Sequence, residues 1–338
     1  MWRNTLHISL PESRRSPRTA TGTQPVIGLD SSYDSHKLTR PDTKEKMRTW
    51  FPLVRVVAIA GLIALVGCGA ARATTLSAEI SYGSNPAAGN TFDSNGTRFY
   101  YETYGEGSPL LLIHGNGESI GSFKGQIGDF ASHHQVIAMD SRGQGKSELG
   151  TGALTYERMA ADTNALLDHL SLRQVKVLGW SDGGIIGLLL TIRHPEKVSM
   201  LAVIGANLQP DAAYPWAVEG TVRVRNRITT QLSTSKNPKP LLLQLQLLDL
   251  LSNQPHIPLR DLATIAVPTL VMAADRDVIR DEHTLSIFHA IPKSQLAIFP
   301  GATHMIPAQD PARFNRTVLD FFDNPFAMPD TKDLGWFD

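Results

Sequence analysis

Gly179-Trp180-Ser181-Asp182-Gly183 is the stretch of this 338-residue chain whose residue types and spacing best support chemistry. A serine flanked by glycines two residues away on either side suits a sharp strand-to-helix turn, where any Cβ at those positions would hold strand and helix apart. The apolar run Val175–Leu178 precedes it, and Gly183, Gly184 and Gly187 give the following helix a small face. In that context Ser181 is a candidate nucleophile, with a helix N-terminus aimed at any developing negative charge. A serine hydroxyl needs a base, and the base needs an orienting acid. Among the 11 histidines, His304 in Pro300-Gly-Ala-Thr-His-Met305 stands just past the apolar run Gln295–Phe299, which puts it at the sheet edge of Ser181. Asp275 and Asp277, in the turn after Thr269–Ala273, are the candidate acids. Two backbone N–H groups must receive an oxyanion. Asp182, next to the nucleophile, offers one, and Asn116 in His114-Gly115-Asn116-Gly117 offers the other. His114 reads as a packing residue of that turn, and Asp140–Ser147 as a structural loop.

These groups need elements to carry them. Arg98–Tyr104 is aromatic-rich and reads as an early strand. Leu110–Ile113, Gln135–Met139, Val175–Leu178, Met200–Ile204, Thr269–Ala273 and Gln295–Phe299 are short apolar runs without alternation, as expected of strands covered on both faces in a parallel sheet. Thr155–Leu170, Ile185–Arg193, Asp281–Ala290 and Pro311–Phe322 have helical spacing, so strand and helix alternate in a three-layer α/β domain over 74–338. The rhythm breaks at about 207–264, where a small helical cap is expected. Its Leu241–Leu251 stretch reads as a helix covering an apolar acyl pocket, with a lipid-facing lid as the alternative.

The motifs HGNG, DSRGQGKS, GWSDGG, PTLVMAADRD and PGATHMIP follow one another from about Thr97 to Phe322. In this order they resemble the α/β-hydrolase superfamily, among its cap-bearing serine esterases and carbon–carbon-bond hydrolases. The resemblance implies the three-layer α/β-hydrolase fold, with a mostly parallel sheet and helices on both faces. It implies a triad of Ser181, Asp277 and His304, because the family places its acid at the end of the short turn, which leaves Asp275 to start that turn. It also implies a carboxylesterase-like reaction on a small hydrophobic ester through an acyl-enzyme, with no cofactor and no metal. The same triad serves carbon–carbon-bond hydrolases and cofactor-free haloperoxidases or perhydrolases. A non-catalytic binding module on this fold is the alternative of another class. The chain departs from dehalogenases and epoxide hydrolases, which carry Asp where Ser181 stands, and it has Thr303 where the family usually has Gly before the histidine.

Charge and cysteine usage narrow the remaining classes. The chain carries 32 basic and 32 acidic residues, which argues against a nucleic-acid binder. The balance conceals 11 basic against 5 acidic residues in 1–73, and 21 against 27 in 74–338. Residues 1–46 read as a disordered or mis-annotated extension, with Met47 the expected start. Residues 47–73 read as a signal peptide with an apolar run from Val56 to Ala71. Leu65-Val66-Gly67-Cys68 resembles the bacterial lipoprotein box, which implies lipidation of the single cysteine, Cys68, and anchoring at the cell envelope. Ala71-Arg72-Ala73 offers ordinary cleavage and release instead. The expected partner is thus a small-molecule ester, with membrane contact only through a lipid on Cys68. One cysteine excludes a disulfide framework and a thiolate zinc site, and adjacent His133 and His134 do not suit one metal site.

Overall fold

The computed structural model describes residues 80–335. The stretches expected to be an extension and a signal peptide, with Cys68, lie outside the described residues. Among the described residues no helix is long and apolar enough to cross a membrane.

The chain has an α/β-hydrolase fold. Eight strands form one sheet: β1 (Gly89–Ser94), β2 (Thr97–Tyr104), β3 (Pro109–Ile113), β4 (Gln135–Met139), β5 (Val175–Trp180), β6 (Val198–Ile204), β7 (Thr269–Arg276) and β8 (Ser294–Thr303). Their order is β1-β2-β4-β3-β5-β6-β7-β8. β1 and β2 run antiparallel and β2 meets β4 antiparallel, while every pair from β4 to β8 is parallel. The helices are α1 (Ile127–Ala131), α2 (Tyr156–His169), α3 (Asp182–Arg193), α4 (Pro215–Leu232), α5 (Lys239–Asn253), α6 (Asp281–Ala290), α7 (Ile306–Gln309) and α8 (Pro311–Asp323).

Strand β1 has no counterpart among the expected strands. Its sequence, GNTFDS, holds one apolar residue, so hydrophobic pattern does not reveal it. Asn95 and Gly96, both at positive φ (49° and 71°), make the two-residue turn that folds it back on β2. The other strands follow their apolar runs, and alternate side chains enter two cores. Leu111, Ile113, Ile137, Val177, Val203 and Val271 face one side with residues of α2 and α3. Leu110, Leu112, Val136, Leu178, Ile204 and Met272 face the other with residues of α1 and α8. Helix α2 starts at its expected threonine, whose Oγ1 accepts the Arg158 N–H at 3.1 Å.

The strand order places the site. From β3 the chain moves to β4 on one side, then returns across β3 to β5 on the other. The loops leaving the carboxyl ends of β3 and β5 therefore diverge and open a crevice at this switch point. The first carries Asn116 and the second Ser181.

The segment between β6 and β7 carries α4 and α5, which pack on one another. The leucine-rich helix reaches the cavity lining in its last turn, with Leu251 and Ser252. Leu243, Leu247 and Leu250 form an inward stripe that joins the first core cluster. Helix α4 keeps only Ile228 buried and lays its first three turns along the cavity.

Candidate active site

Ser181 sits between β5 and α3 at φ 57° and ψ −118°, a strained conformation for a residue with a side chain. The turn closes because its neighbours are glycine. A Cβ on Gly183 would lie 1.9 Å from the Ile113 carbonyl oxygen, and one on Gly179 would lie 2.1 Å from that of Gly183. The Ser181 N–H donates to the Ile204 carbonyl at 2.8 Å, tying the turn to β6.

The structure brings Ser181, His304 and Asp277 into one hydrogen-bonded line. His304 Nδ1 is 2.6 Å from Asp277 Oδ1, and Nε2 is 3.0 Å from Ser181 Oγ. A carboxylate can only accept, so Nδ1 carries the proton and Nε2 turns its lone pair to the serine hydroxyl. The Asp277 side chain is fully buried. Burial alone would raise its carboxyl; the hydrogen bond and charge of His304, with the N–H groups of Ala274 and Ile279, outweigh it and hold the group below its usual value. Asp275 lies two residues earlier, where the register of β7 and β8 shifts, and is not part of this line.

Asn116 and Asp182 both line the cavity beside Ser181. Neither backbone N–H donates to another group among the described residues. His114 spends both ring nitrogens on the turn. Its Nδ1–H donates to the Gly115 carbonyl at 2.8 Å, and Nε2 accepts the Ser141 N–H at 2.9 Å. Burial keeps this ring neutral by lowering its pKa. Asp140 accepts the N–H groups of Ile120 and Lys146, each at 2.8 Å, so the loop to Ser147 is a brace.

Two residues to which the sequence assigned no role lie against the histidine and its loop. Gly205, at φ 63° after β6, faces the imidazole, and a Cβ there would stand 2.5 Å from His304 Cε1 and 2.7 Å from Nδ1. Trp180 Nε1–H donates to the His304 carbonyl at 3.0 Å. A glycine at a strand end is the sequence signal for the first, and the second stands at the variable position of the G-x-S-x-G stretch, where the pattern assigns it no task. Thr303, where a glycine was usual, accepts the Met305 N–H on its Oγ1 at 3.2 Å and so shapes the loop locally.

A cavity of about 1090 Å³ opens over Ser181 and His304. Trp216, Ala217, Val218, Val222 and Val224 of α4, with Leu251, Ile279 and Met305, make its lining mainly apolar. Arg223 is the one arginine or lysine in the lining, and it pairs with Glu219 at 3.5 Å. Met272, by contrast, is core. A shallower recess of about 660 Å³ lies by the opposite ends of β7 and β8 and holds none of these groups.

A family model described as the alpha/beta hydrolase fold matches residues 108–264. That stretch contains Asn116, Ser181 and Asp182, while the tertiary structure adds Asp277 and His304 from beyond it. The chain shares that fold. It is 26% identical over 253 residues to a candidate carbamate hydrolase, RutD, of Azorhizobium caulinodans, covering 66% of this chain and 94% of the relative. It is 29% identical over 280 residues to 2-hydroxymuconate semialdehyde hydrolase of Pseudomonas putida, covering 72% of this chain and 97% of that one. The crystal structure of a bromoperoxidase from Bacillus anthracis superposes with a TM-score of 0.61 over 70% of this chain and all of that one, at 23% identity, a likeness of fold. These two relatives are named as hydrolases of differing substrate.

Proposed function

We propose that this α/β hydrolase is a serine hydrolase that cleaves an ester-type bond of a small, hydrophobic, uncharged substrate through an acyl-enzyme on Ser181. The observation that carries the reading is the unbroken line from Asp277 through His304 to Ser181, at 2.6 and 3.0 Å, at the floor of an apolar cavity. His304 Nε2 takes the serine proton as Oγ attacks the carbonyl carbon. The imidazolium that forms is stabilised by Asp277, which keeps its own proton off because His304 and backbone N–H groups hold it as carboxylate. The oxyanion falls between the N–H groups of Asn116 and Asp182. Collapse of the tetrahedral intermediate expels the alcohol with a proton from His304, and water repeats the sequence to release the acid.

The lining also supports a neutral substrate. Its acids are Glu118, Asp182, Asp211 and Glu219, and its Arg223 is already paired, so a carboxylate-bearing substrate would find no free cation there. That weighs against carbon–carbon-bond hydrolysis of acidic dienones on the same triad. A fluorophosphonate probe tests the nucleophile: it should label the wild-type protein and fail to label Ser181→Ala, and a folded wild type that takes no label overturns the reading. Turnover of p-nitrophenyl esters of increasing acyl length should then reveal a preference for short and medium chains. We also propose that the enzyme works at the cell envelope, on the strength of the Leu65–Cys68 motif. Mass spectrometry of the mature N-terminus should find a diacylglyceryl-cysteine at Cys68; a free Thr74 would refute it.

A further inference from the structure

The oxyanion donors stand on two different loops, one after β3 and one after β5, and something must hold them in register. Gly115 and Gly117 flank Asn116, so backbone stiffness does little there. The Asp182 side chain does what the loop cannot. It is 1% exposed, at the first position of α3, and both its oxygens are engaged. Oδ2 accepts from Asn116 Nδ2 at 2.8 Å, and Oδ1 accepts from Tyr156 Oη of α2 at 2.7 Å. The Asn116 amide donates at the same time to the Leu247 carbonyl of α5, at 3.1 Å. Both hydrogens of one amide are thereby used, one on the nucleophile turn and one on a helix of the β6–β7 segment.

We propose that the Asp182 carboxylate is a positioning group that clamps Asn116 and so sets the spacing of the two oxyanion donors, and that Asn116 couples this spacing to α5 through Leu247. This rests on the serine-hydrolase reading above. A shift of α5 that withdraws the Leu247 carbonyl frees half of the clamp, so the oxyanion hole is complete only with α5 seated. The cost of the device is a buried negative charge. Burial raises the Asp182 carboxyl to about 6, against the hydrogen bonds of Asn116 and Tyr156 and the charge of His304. The titratable groups facing it are Tyr156 from α2 and His304 from the loop after β8. The β3 loop presents the neutral Asn116 amide, and α5 presents a carbonyl. Carboxylate is the form that accepts from both partners at once, so protonation loosens the clamp as pH falls through about 6.

The test is a double-mutant cycle with two readouts. Asp182→Asn keeps the shape but sets an amide against the Asn116 amide, and Asn116→Ala keeps the backbone N–H while deleting the clamp. Each single variant should lower kcat on p-nitrophenyl acetate by roughly ten- to a hundredfold with KM within about twofold, and the double variant should be no worse than the poorer single. The acid limb of kcat should lose its component near 6 in Asp182→Asn. Additive losses, or losses confined to thermal stability, overturn the proposal. Hydrogen exchange of residues 114–118 and of α5 reads the clamp with no substrate present, and both should exchange faster in Asp182→Asn. Unchanged exchange refutes the clamp even in an active esterase. Faster exchange in Asp182→Asn, beside a wild type that turns over no ester, refutes the serine-hydrolase reading and leaves the clamp standing.

Discussion

Replacing Gly205 by alanine should disable the enzyme without touching a catalytic group. The new Cβ would stand 2.5 Å from His304 Cε1 and 2.7 Å from Nδ1, where 3.4 Å is the near edge of ordinary contact. Relief requires the imidazole to retreat by about 1 Å, because such overlap is steeply repulsive. The ring has little room to turn toward the acid, since Asp277 Oδ2 is itself 3.6 Å from the same Cβ position. Retreat would stretch the 3.0 Å approach of Nε2 to Ser181 toward about 4 Å, beyond hydrogen-bond reach. Loss of general-base assistance is worth roughly 10²- to 10⁴-fold, so kcat/KM should fall by about a thousandfold. Alanine at φ 63° adds a left-handed backbone cost of about 1–2 kcal/mol, visible as a modest loss in urea unfolding. The assay is ester turnover beside the rate of fluorophosphonate labelling, both of which should fall together while the protein stays folded. A Gly205→Ala enzyme with wild-type kcat/KM would refute the claim that this position sets the histidine. A stability loss of several kcal/mol in proportion to the activity loss would refute the local account.

Three further outcomes follow from the same geometry. Asp277→Asn should lower turnover by about a thousandfold or more, because Nδ1 loses its carboxylate, whereas Asp275→Asn should retain most activity; the reverse ranking in steady-state kinetics would exchange their roles. With a folded pKa of about 6 against 3.8, Asp182 binds a proton in the folded chain that the unfolded chain has already lost, so its contribution is most favourable at low pH and declines as pH rises from 3.8 through about 6. Relative to Asp182→Asn, wild-type stability in urea should therefore drop by about 2 kcal/mol between roughly pH 4 and pH 7.5, and parallel curves would show that the charge is not buried. Arg142 makes a two-pronged pair with Asp162 at 2.5 and 2.6 Å in the core beside Phe99. Asp162→Ala strands a buried guanidinium and should cost about 3–5 kcal/mol in unfolding free energy; a loss under 1 kcal/mol would mean that the pair is hydrated.

How much was legible before folding differs by residue. The strands β3 to β8 are short runs of apolar residues because both faces of a parallel sheet are covered, and that signal survives in any sequence window. Ser181 was equally plain, since its turn demands small neighbours at fixed offsets. β1 escaped because an edge strand buries little and needs no apolar pattern; its mark was the Asn95-Gly96 turn. The leucine-rich α5 announces a buried face, but hydrophobicity reports that a face is buried and not against what: Leu247 and Leu250 join the core, while Leu251 reaches the cavity. α4, with its exposed Trp216 and valines, supplies more of the cavity lining.

What the sequence determined alone was the set of candidate reacting groups, their order along the chain, and the sheet that carries them, because these depend on residue type and on spacing within a few positions. What only the tertiary structure decided was geometry across long separations. Asp277 and not Asp275 meets His304, although they stand two residues apart: Asp275 is still in β7, and Asp277 follows it. Gly205 is silent in the chain and loses room for any side chain when His304, 99 positions later, is laid against it. Asp182 reads as the neighbour of a nucleophile and folds into a bridge to Asn116, 66 residues away, and to Tyr156, 26 residues away. Contacts of this kind are made by the closing of the sheet at its switch point, and no local propensity encodes them.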